Sequence, residues 1–561
     1  MKQVIKRVNK SYTVMVKYMT ASAIILFCGI SICKAQKNEK DLGDETIVID
    51  KGYKPMLAEG EKISESPKND TTLVQTPVMK YEVSNVQSET KYIINPVKPL
   101  RVRDEYIKEL YRGFVKAGYG FPSLPYMEIA YNSLRSKDFD AGVHFRHLSS
   151  KGTIKEFGYP GFSNNTLNLQ ATKYLEHADL KVKLDYDRDL YHFYGYDAEE
   201  IFFEKKETRH IFNTLNTSLE YTGRTEDADD FQYKAKVAFY NSKNNLKVTE
   251  NNFNVNAYLG KNIGKGNVDG IIDASINKIE QELQSQTNTL VSISPRYNIS
   301  LYPWKLSAGI NINVLSEFDQ TEVFVFPYAR FNYQLIENKL SVLGEVGNAL
   351  KQNNFLTLSR ENPFIDNENI YHATHTLFTG TFGANAMLGK GVQFHASVKY
   401  DNNIGDVFFI NKETVPVKFS TIYLNDQVVR IHGDISYDPA KKLFASVSID
   451  NYNYTFDNDS LMPLYKPAVR AGVALGYNLR DKITVRTDLY INAKANYFDH
   501  ELNDYAKLKS WVDVNLYAEY RYTKLLSFFV DINNVGFAKY QRYYNYPVFP
   551  FNAMAGFSYS F

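Results

Sequence analysis

From Gly113 to Phe561, apolar and polar side chains alternate with a period of two, and the alternation holds over runs of nine residues or more. In Ile483–Tyr497 the odd positions are Ile, Val, Thr, Leu, Ile, Ala, Ala and Tyr, opposed by Thr484, Arg486, Asp488, Tyr490, Asn492, Lys494 and Asn496. Val512, Val514, Leu516, Ala518 and Tyr520 alternate with Asp513, Asn515, Tyr517 and Glu519. Leu180, Val182, Leu184 and Tyr186 oppose Lys181, Lys183, Asp185 and Asp187, and Val429, Ile431, Ile435 and Tyr437 oppose Arg430, His432, Asp434 and Ser436. Period two is the signature of strands with one wet and one dry face. A soluble sandwich shares it, but its strands average 5–6 residues, whereas a membrane-crossing strand needs roughly 9–11. The linkers come in two kinds: tight ones, as at Arg135–Asp138 and Asn478–Lys482, and long ones, as at Tyr196–Arg209 and Arg360–Ala373. The fold class expected is all-β: a large antiparallel transmembrane β-barrel of about 22 strands, or 20 if Phe408–Leu424 supplies none of its own. Strand side chains do not fill a barrel that wide, so it carries a plug or leaves a lumen.

Composition fits once the alternation is known. A charged fraction of 23% and a mean hydropathy of −0.37 look like those of a soluble protein. In a barrel only alternate residues meet lipid, so the average conceals the dry face. The 43 Tyr and 36 Phe, beside 2 Trp, suit aromatic girdles at the two membrane surfaces. The expected lumen-facing residues include Arg486, Asp488, Lys494, Asp513 and Glu519, with Val485 turned to lipid.

Residues 1–35 read as a secretory signal peptide. Lys2, Lys6, Arg7, Lys10 and Lys17 precede the apolar run Thr20–Cys33, and Cys33-Lys34-Ala35 resembles a cleavage site before Gln36. Met15 or Met19 would give a more usual basic region. Cys28 and Cys33 both lie in this segment, so the processed chain has no disulfide, thiolate metal site or Cys nucleophile. Loss of its basic residues takes the net charge from +2 to −4, which argues against nucleic acid as a partner. Residues 36–112 form an extended periplasmic segment, punctuated by Pro55, Pro67, Pro77, Pro96 and Pro99, with a short helix expected at Asp104–Tyr111. The barrel takes up 113–561.

The final run, F-N-A-M-A-G-F-S-Y-S-F over Phe551–Phe561, puts Phe557, Tyr559 and Phe561 on one face. It resembles the C-terminal strand that the barrel-assembly machinery reads in Gram-negative outer-membrane proteins. Together with S-F-F-V-D-I-N-N-V-G-F at Ser527–Phe537, Ala538-Lys539-Tyr540 and Tyr546-Pro547, it resembles the end of a TonB-dependent receptor. Val535-Gly536 departs from that family's usual Leu-Phe. The resemblance is specific over these last residues and architectural before them. It implies an outer-membrane location, contact with lipid and the assembly machinery, and transport across the outer membrane with periplasmic TonB or other envelope proteins as partners. The stretch before Gly113 is too short and plain for the family's plug. The whole chain is therefore similar to plugless, receptor-like barrels of Bacteroidota, a phylum that the Ala-Gln cleavage site and the many Asn, Lys and Tyr also suit. A structural subunit of an envelope complex is the alternative.

Few residues invite chemistry. Glu45, Thr46, Ile47, Val48 and Ile49 resemble the short box that pairs with TonB by strand addition. His144 and His147 are three apart on a strand and point to opposite faces. His372 and His375 sit in or beside a long loop. No spacing of Ser, Asp and His singles out a nucleophile and base, so no enzyme activity and no cofactor is expected. Gly118-Tyr119-Gly120 reads as room for neighbouring rings, not as a phosphate loop.

Overall fold

The computed structural model describes residues 110–561, except 135, 226, 228, 229, 390, 440 and 441. The signal peptide, the Glu45–Ile49 segment and nearly all of the N-terminal extension lie outside the described residues, as does the expected helix Asp104–Tyr111 apart from Leu110 and Tyr111, which are not helical. The chain divides into two units, Met1–Val102 and Arg103–Phe561, and the second holds the barrel.

Twenty-two strands make one closed antiparallel sheet. Each pairs with its neighbour along the chain, and the first, Gly113–Phe121, pairs with the last, Asn552–Ser560. Phe408–Leu424 supplies the ends of two long strands, Val392–Asn411 and Phe419–Tyr437, which makes the count 22 and not 20. The expected single strand Ile483–Tyr497 is instead two. Ile483–Asn492 stays in the wall, while Ala495–Asp499 pairs with Asp504–Leu508 in a separate hairpin. Lys494 lies in the break between them, off any strand. A hairpin that leaves the wall also has two faces, so period two cannot mark the departure.

Closure of the sheet depends on small residues at the seam. Gly118 faces Gly556, and Gly120 opposes Met554. A Cβ on Gly120 would come 2.0 Å from the Ala553 carbonyl oxygen, and one on Gly556 2.0 Å from that of Ala117. Side chains at either position would push the first and last strands apart and unpair them.

The two faces of the wall differ in kind. One carries hydrogen-bonded polar side chains from strand to strand: Glu128 to His144 at 2.9 Å, His144 to Asn168 at 3.1 Å, Asn168 to Asp185 at 2.8 Å. Asn254–Asp273, Ser292–Asn313, Thr379–Asp401 and Arg430–Asp450 continue the pattern round the sheet. The opposite face presents exposed apolar side chains, among them Phe382, Ile431, Leu475, Val530 and Phe557. Such a continuous apolar belt is tolerable only against lipid. The polar face is the inner one, because the long connection described below crosses the barrel and bonds to it.

The two ends also differ. At one, the connections are short, several of only two or three residues, as from Tyr174 to Ala178, Ile263 to Gly266, Leu301 to Trp304 and Leu479 to Ile483. At the other lie the long connections: His192 to Arg209, Lys351 to Thr374, Phe456 to Val469, and Asn533 to Asn552. Short turns on one side and long loops on the other is the outer-membrane arrangement. In Val392–Asn411 the outward-facing Phe394 and Val398 lie toward the short-turn end, while Val407, Phe408 and Phe409 toward the other end are buried by loops.

Candidate functional site

The long connections fold together into a cap over their end of the barrel. Its centre is the segment 352–373, between strands Leu340–Lys351 and Thr374–Met387. The segment contains the helix Phe355–Glu361, which Asn354 starts with a capping box: its side chain accepts from the Thr357 N–H at 2.9 Å, and the Thr357 hydroxyl reaches back to the Asn354 N–H. Asn353 closes the base of the loop by donating to the His372 carbonyl at 2.9 Å and to Thr374 Oγ1 at 2.8 Å.

From there the segment reaches wall residues on several distant strands. Glu250 accepts from the Leu356 N–H at 2.7 Å, and Tyr240 Oη accepts from the Asn354 side-chain amide at 2.9 Å. Arg360 pairs with Asp187 at 2.8 Å, and His210 Nδ1 donates to the Pro363 carbonyl at 2.9 Å. Gln281 and Asn288 donate to the carbonyls of Asn369 and Tyr371 at 2.8 and 3.0 Å. On another side, Ile365 bridges to Phe419, and the Thr421 N–H donates to Asn369 Oδ1 at 2.9 Å. The segment is therefore a strap across the mouth.

An apolar cluster backs the strap. Phe355, Ile365 and Tyr371 are fully buried. They belong with Phe193, Phe212, Phe408, Phe419, Tyr465 and Tyr546 to one core built from several loops and strand ends. Phe364 stacks on Tyr546 with ring centres 3.6 Å apart, and the Tyr543 hydroxyl donates to the Glu361 carbonyl at 2.9 Å. Large buried side chains of this kind stabilise by about 1.5–3 kcal/mol each, so the apolar cluster dominates the cap's energy.

Charge in the cap is local and paired. Burial works against an ionised Asp366, but ion pairs with Lys412 and Lys418 hold its carboxyl below the ordinary value. Burial lowers His372, whose Nδ1 lies 3.7 Å from Glu317 and whose ring lies against Phe318 and Tyr423. His375 packs against Phe324 and Phe326. His372 and His375 thus sit among rings and not in a ligand set. Near the seam, a recess of about 370 Å³ opens on the inner face beside Lys116, Tyr126, Arg146, Phe162 and Asp531.

The other residues singled out by sequence fall as follows. Arg486 and Asp488 share the polar face and pair at 2.8 Å. Asp513 and Glu519 lie on that face of the next wall strand, Trp511–Arg521; Asp513 accepts from the Tyr540 hydroxyl at 2.6 Å and Glu519 from Tyr517 at 2.8 Å. Val485 lies on the apolar face opposite Ala518. Phe557 and Tyr559 are on the apolar face, opposite Ala117 and Val115 across the seam. His144 bonds within the polar ladder, and His147 turns to the other face, where it meets Asn165 at 2.7 Å. Sequence reasoning does not reveal the strap's anchors, Asp187, His210, Tyr240 and Glu250. On paper they are ordinary polar-face residues, and only the helix-capping pattern Asn354-x-x-Thr357 signals that the long loop is structured.

No protein-family model matches the sequence, and no curated protein does. Solved structures match the fold. The FrpB iron transporter of Neisseria meningitidis aligns with a TM-score of 0.64 and 11% identity, covering 81% of this chain and 82% of that one. The copper transporter OprC aligns at 0.62 and 10% identity, covering 80% of each chain. The ferric-catecholate import receptor Fiu of E. coli K12 aligns at 0.63 and 9% identity, covering 81% and 82%. The fold is a closed 22-strand antiparallel barrel matching those of TonB-dependent receptors. Identities this low establish shared architecture and nothing about cargo.

Proposed function

We propose that this protein is an outer-membrane transport barrel of the TonB-dependent-receptor type whose outer mouth is governed by the strap 352–373. One observation carries the reading: a wide, continuously polar inner wall is closed at one end by a segment that holds to the wall mainly through side-chain contacts, with one isolated backbone bridge from Ile365 to Phe419. A lumen this wide is not filled by the strands themselves. A cover held by separable contacts can open without unzipping the barrel. The structural neighbours are transporters and receptors, which favours transport over a purely structural subunit and over catalysis.

The remaining assignments follow from orientation. Short turns lie on the periplasmic side of outer-membrane barrels. Gly113 begins the first strand at the short-turn end, so residues 36–112 would leave into the periplasm after removal of the signal peptide 1–35. There Glu45–Ile49 would offer TonB an extended edge for strand addition. In this reading the chain is a plugless receptor-like barrel of the Bacteroidota type, and the strap takes over the closing role. Arg486, Asp488, Asp513 and Glu519 would line the aqueous path. Phe557, Tyr559 and Phe561 would serve as the assembly cue.

Planar-bilayer recording tests the proposal. Wild-type protein should show little conductance, and replacement of residues 354–371 by a short Gly-Ser linker should give a large, stable pore. A correctly folded deletion variant that conducts no more than wild type would leave the structural-subunit reading in its place.

A further inference from the structure

Three inner-face side chains near the short-turn end stand together: His395, His432 and Asp434, with one ligand-capable atom from each lying within 4.8 Å of the others. They come from two adjacent strands. His395 is directly opposite Asp434 in the ladder, and His432 is two residues along from Asp434 on the same face. All three are partly exposed, and the turn between Met387 and Val392 is close by, so the cluster lies at the far end of the wall from the strap.

Neighbouring groups select which ring nitrogens are free. His395 Nδ1 lies 2.7 Å from Asn385 Oδ1, an acceptor, so Nδ1 carries the hydrogen and Nε2 is left with its lone pair. His432 Nδ1 lies 2.8 Å from Asp450 Oδ1, which Arg430 also holds, at 2.7 Å. That contact likewise spends the Nδ1 hydrogen and leaves Nε2 as an acceptor. Yet His432 Nε2 faces Asp434 Oδ1 at 3.2 Å. Two acceptors at that distance repel unless a proton or a metal cation lies between them. A carboxylate behind each metal-binding imidazole is the usual way proteins fix the tautomer and orient the ring; here Asp450 takes that place for His432 and the Asn385 amide for His395. Nearby positive charge is neutralised in place, Arg430 by Asp450 and Lys399 by Asp401.

We propose that His395 Nε2, His432 Nε2 and Asp434 form a binding site for a zinc-class divalent cation in the barrel wall. Two imidazoles and one carboxylate are borderline donors suited to such ions, and three protein ligands leave the fourth position open to water in the lumen. Metal–ligand bonds of about 2.0–2.1 Å put tetrahedral ligand atoms about 3.3 Å apart. The His432–Asp434 pair already has that spacing, at 3.2 Å, and a ligand-capable atom of His395 lies within 4.8 Å. The site belongs to the wall and stands whether or not the barrel conducts.

The test uses full-length protein in detergent, purified without a polyhistidine tag, stripped with chelator and titrated calorimetrically with ZnCl₂. Wild type should bind one equivalent, and Co²⁺ in its place should give the visible absorption of a low-coordinate site. His395→Ala and His432→Ala should each weaken zinc at least tenfold, Asp434→Asn should also weaken it, and His147→Ala on the outer face should leave it unchanged. Heat-modifiable gel mobility checks that each variant is folded. Absence of stoichiometric zinc in wild type, or full affinity in folded His395→Ala and His432→Ala, would overturn the proposal.

Discussion

Gly113 and Phe561 exchange backbone hydrogen bonds in both directions, at 2.8 and 2.9 Å, and the Phe561 ring lies where a Cβ on Gly113 would be, 2.2 Å from its nearest atom. The first residue of the first strand and the last residue of the chain therefore close the sheet as a fitted pair. Gly113→Leu should collide with the ring and lower the folded fraction, and so should removal of Tyr559–Phe561, which leaves backbone groups unpaired in lipid at several kcal/mol each. Outer-membrane abundance and heat-modifiable gel mobility report both.

The two faces of Ile483–Asn492 predict opposite responses to charge. Val485→Arg puts a charge on the lipid side and should cost roughly 2–4 kcal/mol at mid-membrane depth. Arg486→Ala, on the polar face, loses an exposed pair with Asp488 and should cost under about 1 kcal/mol. Urea unfolding in lipid vesicles measures the difference; equal costs would mean the faces are misassigned.

The strap should be held by its apolar side more than by its ion pairs. Phe355→Ala removes a fully buried ring and should destabilise the cap by about 3–5 kcal/mol. Arg360→Ala breaks a half-exposed pair and should cost no more than about 1 kcal/mol. Protease nicking within 352–373 should therefore accelerate in the first variant and hardly change in the second.

Asp366 gives the cap a defined acid limit. Its carboxyl is depressed below 3.8 by Lys412 and Lys418 against the opposing effect of burial. A depressed carboxylate adds stability above its unfolded value and loses it as pH falls through the folded value. The contribution of Asp366 should be intact at neutral pH and lost only in acid, as pH falls through its depressed value. Asp366→Asn should remove that acid step and weaken the cap at pH 7, since two lysines lose their partner. Conductance recorded against pH checks both.

The barrel is legible from sequence because lipid imposes one rule on every wall strand. Val429–Tyr437 and Val512–Tyr520 obey it, and their paired strands do too. The rule is silent once the chain leaves the bilayer, so Ala495–Asp499 passes for wall and Lys494 for a wall residue. The strap's contacts are invisible for another reason. Arg360 and Asp187 are 173 residues apart, and nothing local distinguishes Asp187 from Asp185 or Asp189. The zinc-class cluster is half visible. His432-x-Asp434 shares a face in any strand, but His395 joins it only through the register of two strands.

The strap's contact with Tyr543 and Tyr546 has a consequence for the order of events. Those rings belong to the connection that leads into the final strand, so the cover cannot be completed until the end of the chain has been laid in. The molecule must exist first as a cylinder without a lid, and sealing is its last act. Leakiness early in its life, and silence afterwards, would time that step in a living cell.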